Sequence, residues 1–173
     1  MNTQRKLSRW ILILFSLGFL SACGNNSEAP PDGSILINPS SIKWDVVGDP
    51  NVCVSGTISH IHPVLITVKD GLGQPLGNID IYVSLTWGGN NSWGDFLFLF
   101  DDFNGDGLIT ADELVNTVGD PHEYVTTTEP NGSKTFYLGM STRCAYKGWL
   151  QVYSGSVFAT AELEVTITEP TGP

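Results

Sequence analysis

The sequence predicts an all-β sandwich, and three observations carry that expectation. From Ile35 onward, short alternations of apolar and polar residues recur about every ten residues. Gly, Pro, Asn and Asp gather between these runs, where reversals of the chain need them. No apolar pattern of helical period is long enough to supply a core helix.

The chain opens with something other than a sandwich. Arg5, Lys6 and Arg9 form a basic stretch, Trp10 to Leu20 is apolar apart from Ser16 and Gly18, and Leu20-Ser21-Ala22-Cys23 closes the run. It is shorter than the roughly 20 residues that span a bilayer and has the flanks of an export signal. It resembles a bacterial lipoprotein signal, which implies removal of residues 1–22 and lipidation of Cys23. Gly24 and Asn25 resemble the signals of lipoproteins sent to the outer membrane, so the resemblance implies an envelope location with the membrane reached through the lipid. Residues 23–34 are polar and rich in Gly, Pro and Asn, and are expected to form a flexible tether.

The sandwich is expected over residues 35–170. Ile35–Ile37 and Ile42–Val47 are the first strands, split at Asn38-Pro39. Cys53–Ser59 alternates next, and Val64, Ile66 and Val68 then share one strand face against Leu65 and Thr67. Asp70 to Pro75 is a turn, and Ile79, Ile81, Val83 and Leu85 alternate strictly. Beyond a long middle segment, strands are expected at Tyr124–Thr128, Lys134–Leu138, Gly148–Tyr153 and Val157–Ile167, with a tight hairpin at Ser154-Gly155-Ser156.

The pattern Val64-x-Ile66-x-Val68-x-Asp70-x-x-Gly73-x-Pro75-Leu76-x-Asn78-Ile79-x-Ile81-x-Val83 resembles the core of bacterial immunoglobulin-like domains of the invasin and intimin type. Thr127 to Gly132 is similar to a turn of that family, and Lys147–Tyr153 and Phe158–Ile167 to its closing strands. The resemblance implies an immunoglobulin-like β-sandwich and no catalytic residues. Against that pattern, about residues 88–123 form an insertion, and Cys53 and Cys144 have no counterpart. In an exported chain these two thiols most simply pair in a disulfide, although two buried free cysteines also fit.

The whole chain carries 8 Lys plus Arg against 18 Asp plus Glu, a net charge of -10. The first 22 residues hold three of the bases and none of the acids, so the remainder carries 5 against 18, or -13. Nucleic acid is excluded as a partner, because no basic surface is left to neutralise phosphates. The excess of acid suits divalent cations instead.

One segment concentrates that charge. Asp102-Phe103-Asn104-Gly105-Asp106-Gly107-Leu108-Ile109-Thr110-Ala111-Asp112-Glu113 matches the calcium loop D-x-[DN]-x-[DN]-G-x5-E at every specified position. Asp102, Asn104 and Asp106 would supply side-chain oxygens, Gly107 the sharp turn, Leu108 a backbone carbonyl, Thr110 a direct or water-borne contact, and Glu113 both carboxylate oxygens. Leu108's side chain is then free to pack, and Ile109 would pin the loop to the core. Ca2+ fits such a set of hard oxygen ligands in a flexible cage better than magnesium does. The preceding Phe96 to Phe100 is β-prone and makes no entering helix, whereas Thr110–Thr117 is expected to form about two helical turns capped by Thr110 and Glu113. With a single loop, calcium is expected to act as a structural clamp.

Other residues point less sharply. His60 and His62 are expected to be a solvated pair, His122 a loop residue, and Asp101 metal-directed like its neighbour. Trp87, Trp93, Trp149 and Tyr153 suit either the core, the favoured placement, or an interaction surface. No nucleophile, base and acid form a recognisable set, so no enzymatic activity is expected. The function expected is a calcium-stabilised, lipid-anchored envelope module for adhesion, scaffolding or assembly with a protein or glycan partner, with a carbohydrate-binding module as the alternative.

Overall fold

A computed structural model describes residues 27–49, 58, 60–87, 97–116, 123–140 and 145–170. Cys23, Cys53, Cys144, Trp93 and His122 lie outside these residues, as does nearly all of the strand expected over Cys53–Ser59. Ten strands are described: β1 Ser34–Asn38, β2 Ser41–Val47, β3 His60–Lys69, β4 Asp80–Trp87, β5 Leu97–Phe100, β6 Leu114–Asn116, β7 Tyr124–Thr127, β8 Ser133–Met140, β9 Tyr146–Ser154 and β10 Val157–Thr168. The helical content of the described residues is one 3-10 turn, Ala111–Glu113.

The strands form two five-stranded sheets, ordered β1-β3-β8-β5-β6 and β2-β10-β9-β4-β7. The chain is thus an all-β sandwich, as the alternating patterns predict. In the order of an immunoglobulin sandwich, β1, β3, β8 and β5 stand where strands A, B, E and D stand, and β4, β9 and β10 where C, F and G do. The first strand changes sheets at Asn38-Pro39-Ser40, so β1 pairs antiparallel with β3 while β2 runs parallel to β10. Two described strands are additions to that order: β6, which pairs with β5 at the edge of the first sheet, and β7, which returns to pair with β4.

The core follows from parity. Val64, Ile66 and Val68 on β3 and Phe136, Leu138 and Met140 on β8 face Ile81 and Val83 on β4, Leu150 and Val152 on β9, and Ala161, Leu163 and Val165 on β10. Each of these side chains is almost wholly buried, so each contributes roughly 1.5–3 kcal/mol through area removed from water if it is as large as Val, Leu, Ile or Phe. The β9–β10 hairpin turns on Gly155-Ser156, with Ser154 opposite Val157 and Gly155 at φ +57° as a type II′ turn demands.

Three expectations change. The apolar run ending at Phe100 forms β5, an interior strand between β8 and β6, so part of the segment read as an insertion belongs to the first sheet. Its unbroken apolarity reflects burial on both faces, with Leu97 and Leu99 in the core and Phe100 also buried. Thr110–Thr117 does not make two helical turns, because Leu114 and Asn116 find ladder partners in Phe100 and Leu99 and the chain extends into β6. Nor is all of residues 23–34 a free tether. Ala29 is buried, its N–H donates to Ser154 Oγ at 2.8 Å, and Ser154 Oγ donates in turn to the Asp80 carbonyl at 2.6 Å. The Ser27 carbonyl accepts from the Asp80 N–H, so from Ser27 onward the segment is docked on the sandwich.

Candidate metal centre

β5 ends at Phe100, and the loop that follows passes twice through the left-handed region that favours glycine. Gly105 and Gly107 have φ of +69° and +74°, the fourth and sixth positions of the loop. Asp102 organises the turn: its Oδ1 accepts from the N–H groups of Gly105 (2.7 Å) and Asp106 (3.2 Å), and its Oδ2 from that of Gly107 (2.9 Å). Asn104 Oδ1 accepts from the Asp106 N–H at 2.8 Å, and Asp106 Oδ1 from the Leu108 N–H at 2.7 Å. The structure therefore gathers Asp102, Asn104 and Asp106 in one turn, each side chain bent back onto the loop's own amides.

The closing residues form a second group. Glu113 is only 3% exposed, and its Oε2 accepts from both the backbone N–H and the hydroxyl of Thr110, each at 2.9 Å. This is the capping contact the sequence predicts, here on a single 3-10 turn. Glu113 Oε1 is buried with no hydrogen-bond partner. Leu108 is 68% exposed, so its side chain does not pack, and Ile109 is half-buried. The hydroxyl of Thr110 beside the exposed Asp112 holds that carboxyl below the usual range, with a hydrogen bond from Asp112's own backbone adding to it.

Among the described residues no three His, Cys, Asp or Glu side chains already stand as a closed metal cluster. The donors nevertheless fit a hard cation: two carboxylates and an amide oxygen on one turn, and a buried carboxylate oxygen with nothing to balance it. A buried unpaired carboxylate oxygen is costly and uncommon, and a neighbouring cation is one of the few things that relieves it.

Asp101 does not join its neighbour. It is 1% exposed, its Oδ1 stands 2.7 Å from the ammonium of Lys134, and its Oδ2 accepts from the Tyr124 hydroxyl at 2.9 Å. The ion pair is the partner of Oδ1. Its backbone N–H donates to the Glu113 carbonyl at 3.0 Å, which ties the two ends of the loop together. Burial, then the bond to Asp101, pushes the Tyr124 hydroxyl up to about 12. The sequence held a trace of this cluster: Lys134 shares the parity of Phe136, Leu138 and Met140, an inward place where a lysine needs a partner.

The remaining candidates settle elsewhere. His60 stacks on Trp44 at 5.1 Å between centroids, and His62 meets the same indole edge-on at 5.9 Å, so the pair packs on one ring, with His60 exposed and His62 half-buried. Trp149 and Tyr153 lie on the outer face of the second sheet, not in the core, because Leu150 and Val152 take the inward places on β9. Tyr153 stacks on Tyr82 at 4.9 Å with rings 7° from parallel. No helix of the described residues is long and apolar enough to cross a membrane.

No family model and no curated protein matches the chain. Among solved structures, it is similar to a conjugative transposon lipoprotein from Bacteroides eggerthii, at 12% identity and a TM-score of 0.42 over 78% of this chain and 97% of the other. It is also similar to a PapD-like domain of human CEP192, at 10% identity and a TM-score of 0.38 over 82% of this chain and 89% of that one. Likenesses this distant carry no function across.

Proposed function

We propose that the chain is a non-enzymatic, lipid-anchored module of the bacterial envelope whose β5–β6 loop is clamped by calcium. The observation that carries the calcium reading is Glu113 Oε1, a buried and unpartnered carboxylate oxygen at the closing position of a loop that matches the calcium pattern throughout. Asp102, Asn104, Asp106, the Leu108 carbonyl, Thr110 and Glu113 would hold the ion. Bound there, it would neutralise the clustered carboxylates and fix the connection between β5 and β6.

Lipidation at Cys23 would place the domain close to its membrane. Ser27, the first described residue, is already docked, so at most Gly24, Asn25 and Asn26 separate lipid from domain. At roughly 3.3–3.6 Å per residue, even an extended link of that length reaches about one nanometre. For the interaction surface, the stacked Tyr82 and Tyr153 offer an aromatic contact on the outer face of the second sheet that a protein partner could use.

Titration calorimetry with calcium tests the clamp: binding at micromolar to millimolar ion supports it, and no heat at millimolar ion refutes it. Labelling of cells with a palmitate analogue tests the anchor: the label is expected on the chain and lost in Cys23→Ala, and an unlabelled wild-type chain refutes it.

A further inference from the structure

Lys134 occupies a place that ordinary salt bridges do not. On β8 it is opposite Ile66 and has the parity of Phe136, so it rises from the inner face of the first sheet. Its ammonium meets Asp101 Oδ1 at 2.7 Å and lies 5.9 Å from the centre of the Phe136 ring. The second carboxylate oxygen is held by Tyr124, which reaches across from the opposite sheet and packs edge-on against Phe136 at 6.1 Å. The Asp101 carboxylate is almost wholly buried and the Lys134 side chain 17% exposed, so the pair loses much of its hydration, and the attraction between the two barely repays that loss. An uncharged link between the same atoms would carry no such cost.

We propose that Lys134 and Asp101 join in an intramolecular amide bond. The Lys134 nitrogen gives up protons to Oδ1 and attacks the Asp101 side-chain carbon. The C–N bond forms, the C–Oδ1 bond breaks, and Oδ1 leaves as water with two of the three ammonium protons. Ammonium and carboxylate thus become a neutral amide plus one water, with no oxidant, nucleotide or other reagent required. Tyr124 stays hydrogen-bonded to Oδ2, where negative charge gathers as the nitrogen adds, and stabilises it. Condensation of this kind is unfavourable between dissolved reactants. Two groups fixed in contact by a folded core react with an effective concentration of about 10⁵–10⁸ M, and the near-complete burial of the Asp101 carboxyl limits access of water to the bond. The product would weld β8 to the residue just before the calcium loop, tying the start of the loop to the sandwich whether or not an ion is bound. This bond is independent of the calcium reading.

The full chain, purified in detergent, is denatured and digested with trypsin. The expected result is no cleavage after Lys134 and a peptide Asp70–Arg143 lighter than its sequence by one water, with fragment ions that place the bond between Asp101 and Lys134. Lys134→Arg and Asp101→Ala are each expected to restore the full mass. Tyr124→Phe is expected to slow bond formation in newly synthesised chain by about 10²-fold, in line with removal of one donor to a developing oxyanion. Ordinary cleavage after Lys134 at full mass in the wild-type chain overturns the proposal whether or not the variants fold. A water loss that persists in Lys134→Arg overturns it too, since it then belongs to an aspartyl imide.

Discussion

Replacing Glu113 with glutamine isolates the calcium clamp from the rest of the loop. The substitution keeps the shape and one carbonyl oxygen, so the bonds from Thr110 can persist while the negative charge is lost. It leaves untouched the five backbone bonds held by Asp102, Asn104 and Asp106, so in chelator the loop should fold as before. Loss of a buried negative charge offsets the weaker capping bond and the unpaired amide NH2 that takes the place of Oε1, and the net change without ion is expected to be within about 1 kcal/mol. With calcium the two proteins separate. An ion at 10 to 100 times its dissociation constant stabilises the wild type by about 1.4–2.7 kcal/mol, and in a domain of this size that raises the melting temperature by roughly 3–10 °C. Glu113→Gln is expected to lose most of this rise. Melting curves followed by fluorescence in chelator and in 10 mM calcium, a concentration about tenfold above the weak end of extracellular sites, provide the comparison. An equal rise in both proteins would show that Glu113 is not a ligand, and no rise in the wild type would remove the clamp altogether.

Gly132→Ala is expected to cost about 2 kcal/mol or more in urea denaturation, because its φ is +79° and an added Cβ would lie 2.6 Å from the Pro75 Cβ and 2.7 Å from the Leu76 nitrogen. Ser154→Ala is expected to cost about 1–3 kcal/mol and to raise hydrogen exchange at the Ala29 amide selectively, since that N–H would lose its buried acceptor. Unchanged exchange there would show that the N-terminal segment docks without this bond. On the outer face of the second sheet, Lys147 holds the Glu162 carboxyl below its usual range, and Lys43 adds to the effect. A depressed carboxyl contributes stability above its unfolded pKa and loses it as pH falls through the folded one, so the wild type should exceed Lys147→Ala near neutrality and converge with it in acid. A gap between the two that is the same at neutral and acid pH would rule out this pair as its source.

The sandwich was legible because one face of nearly every strand is buried, and period-two alternation is the direct imprint of that burial. Val64, Ile66 and Val68, or Leu150 and Val152, announce their side of the sheet without help from any partner. The loop from Asp102 to Glu113 was legible for a related reason: its ligand types, its glycines and its capping residue act on one another within twelve positions. Other features depend on residues far apart in the chain. β5 does not alternate, since it is covered on both sides, and β6 extends only because β5 lies beside it. Ala29 looks like part of a linker until Ser154, 125 positions away, offers it an acceptor. Asp101 and Asp102 are chemically alike and adjacent, yet one enters the loop and the other the core. Neighbours a few residues apart were thus enough to set the alternating strands, their buried faces and the local chemistry of the loop. Only the tertiary structure decided which strand lies against which, and so brought Lys134 and Tyr124 from the two sheets onto a single carboxylate, because contacts between distant segments exist only once the chain has closed.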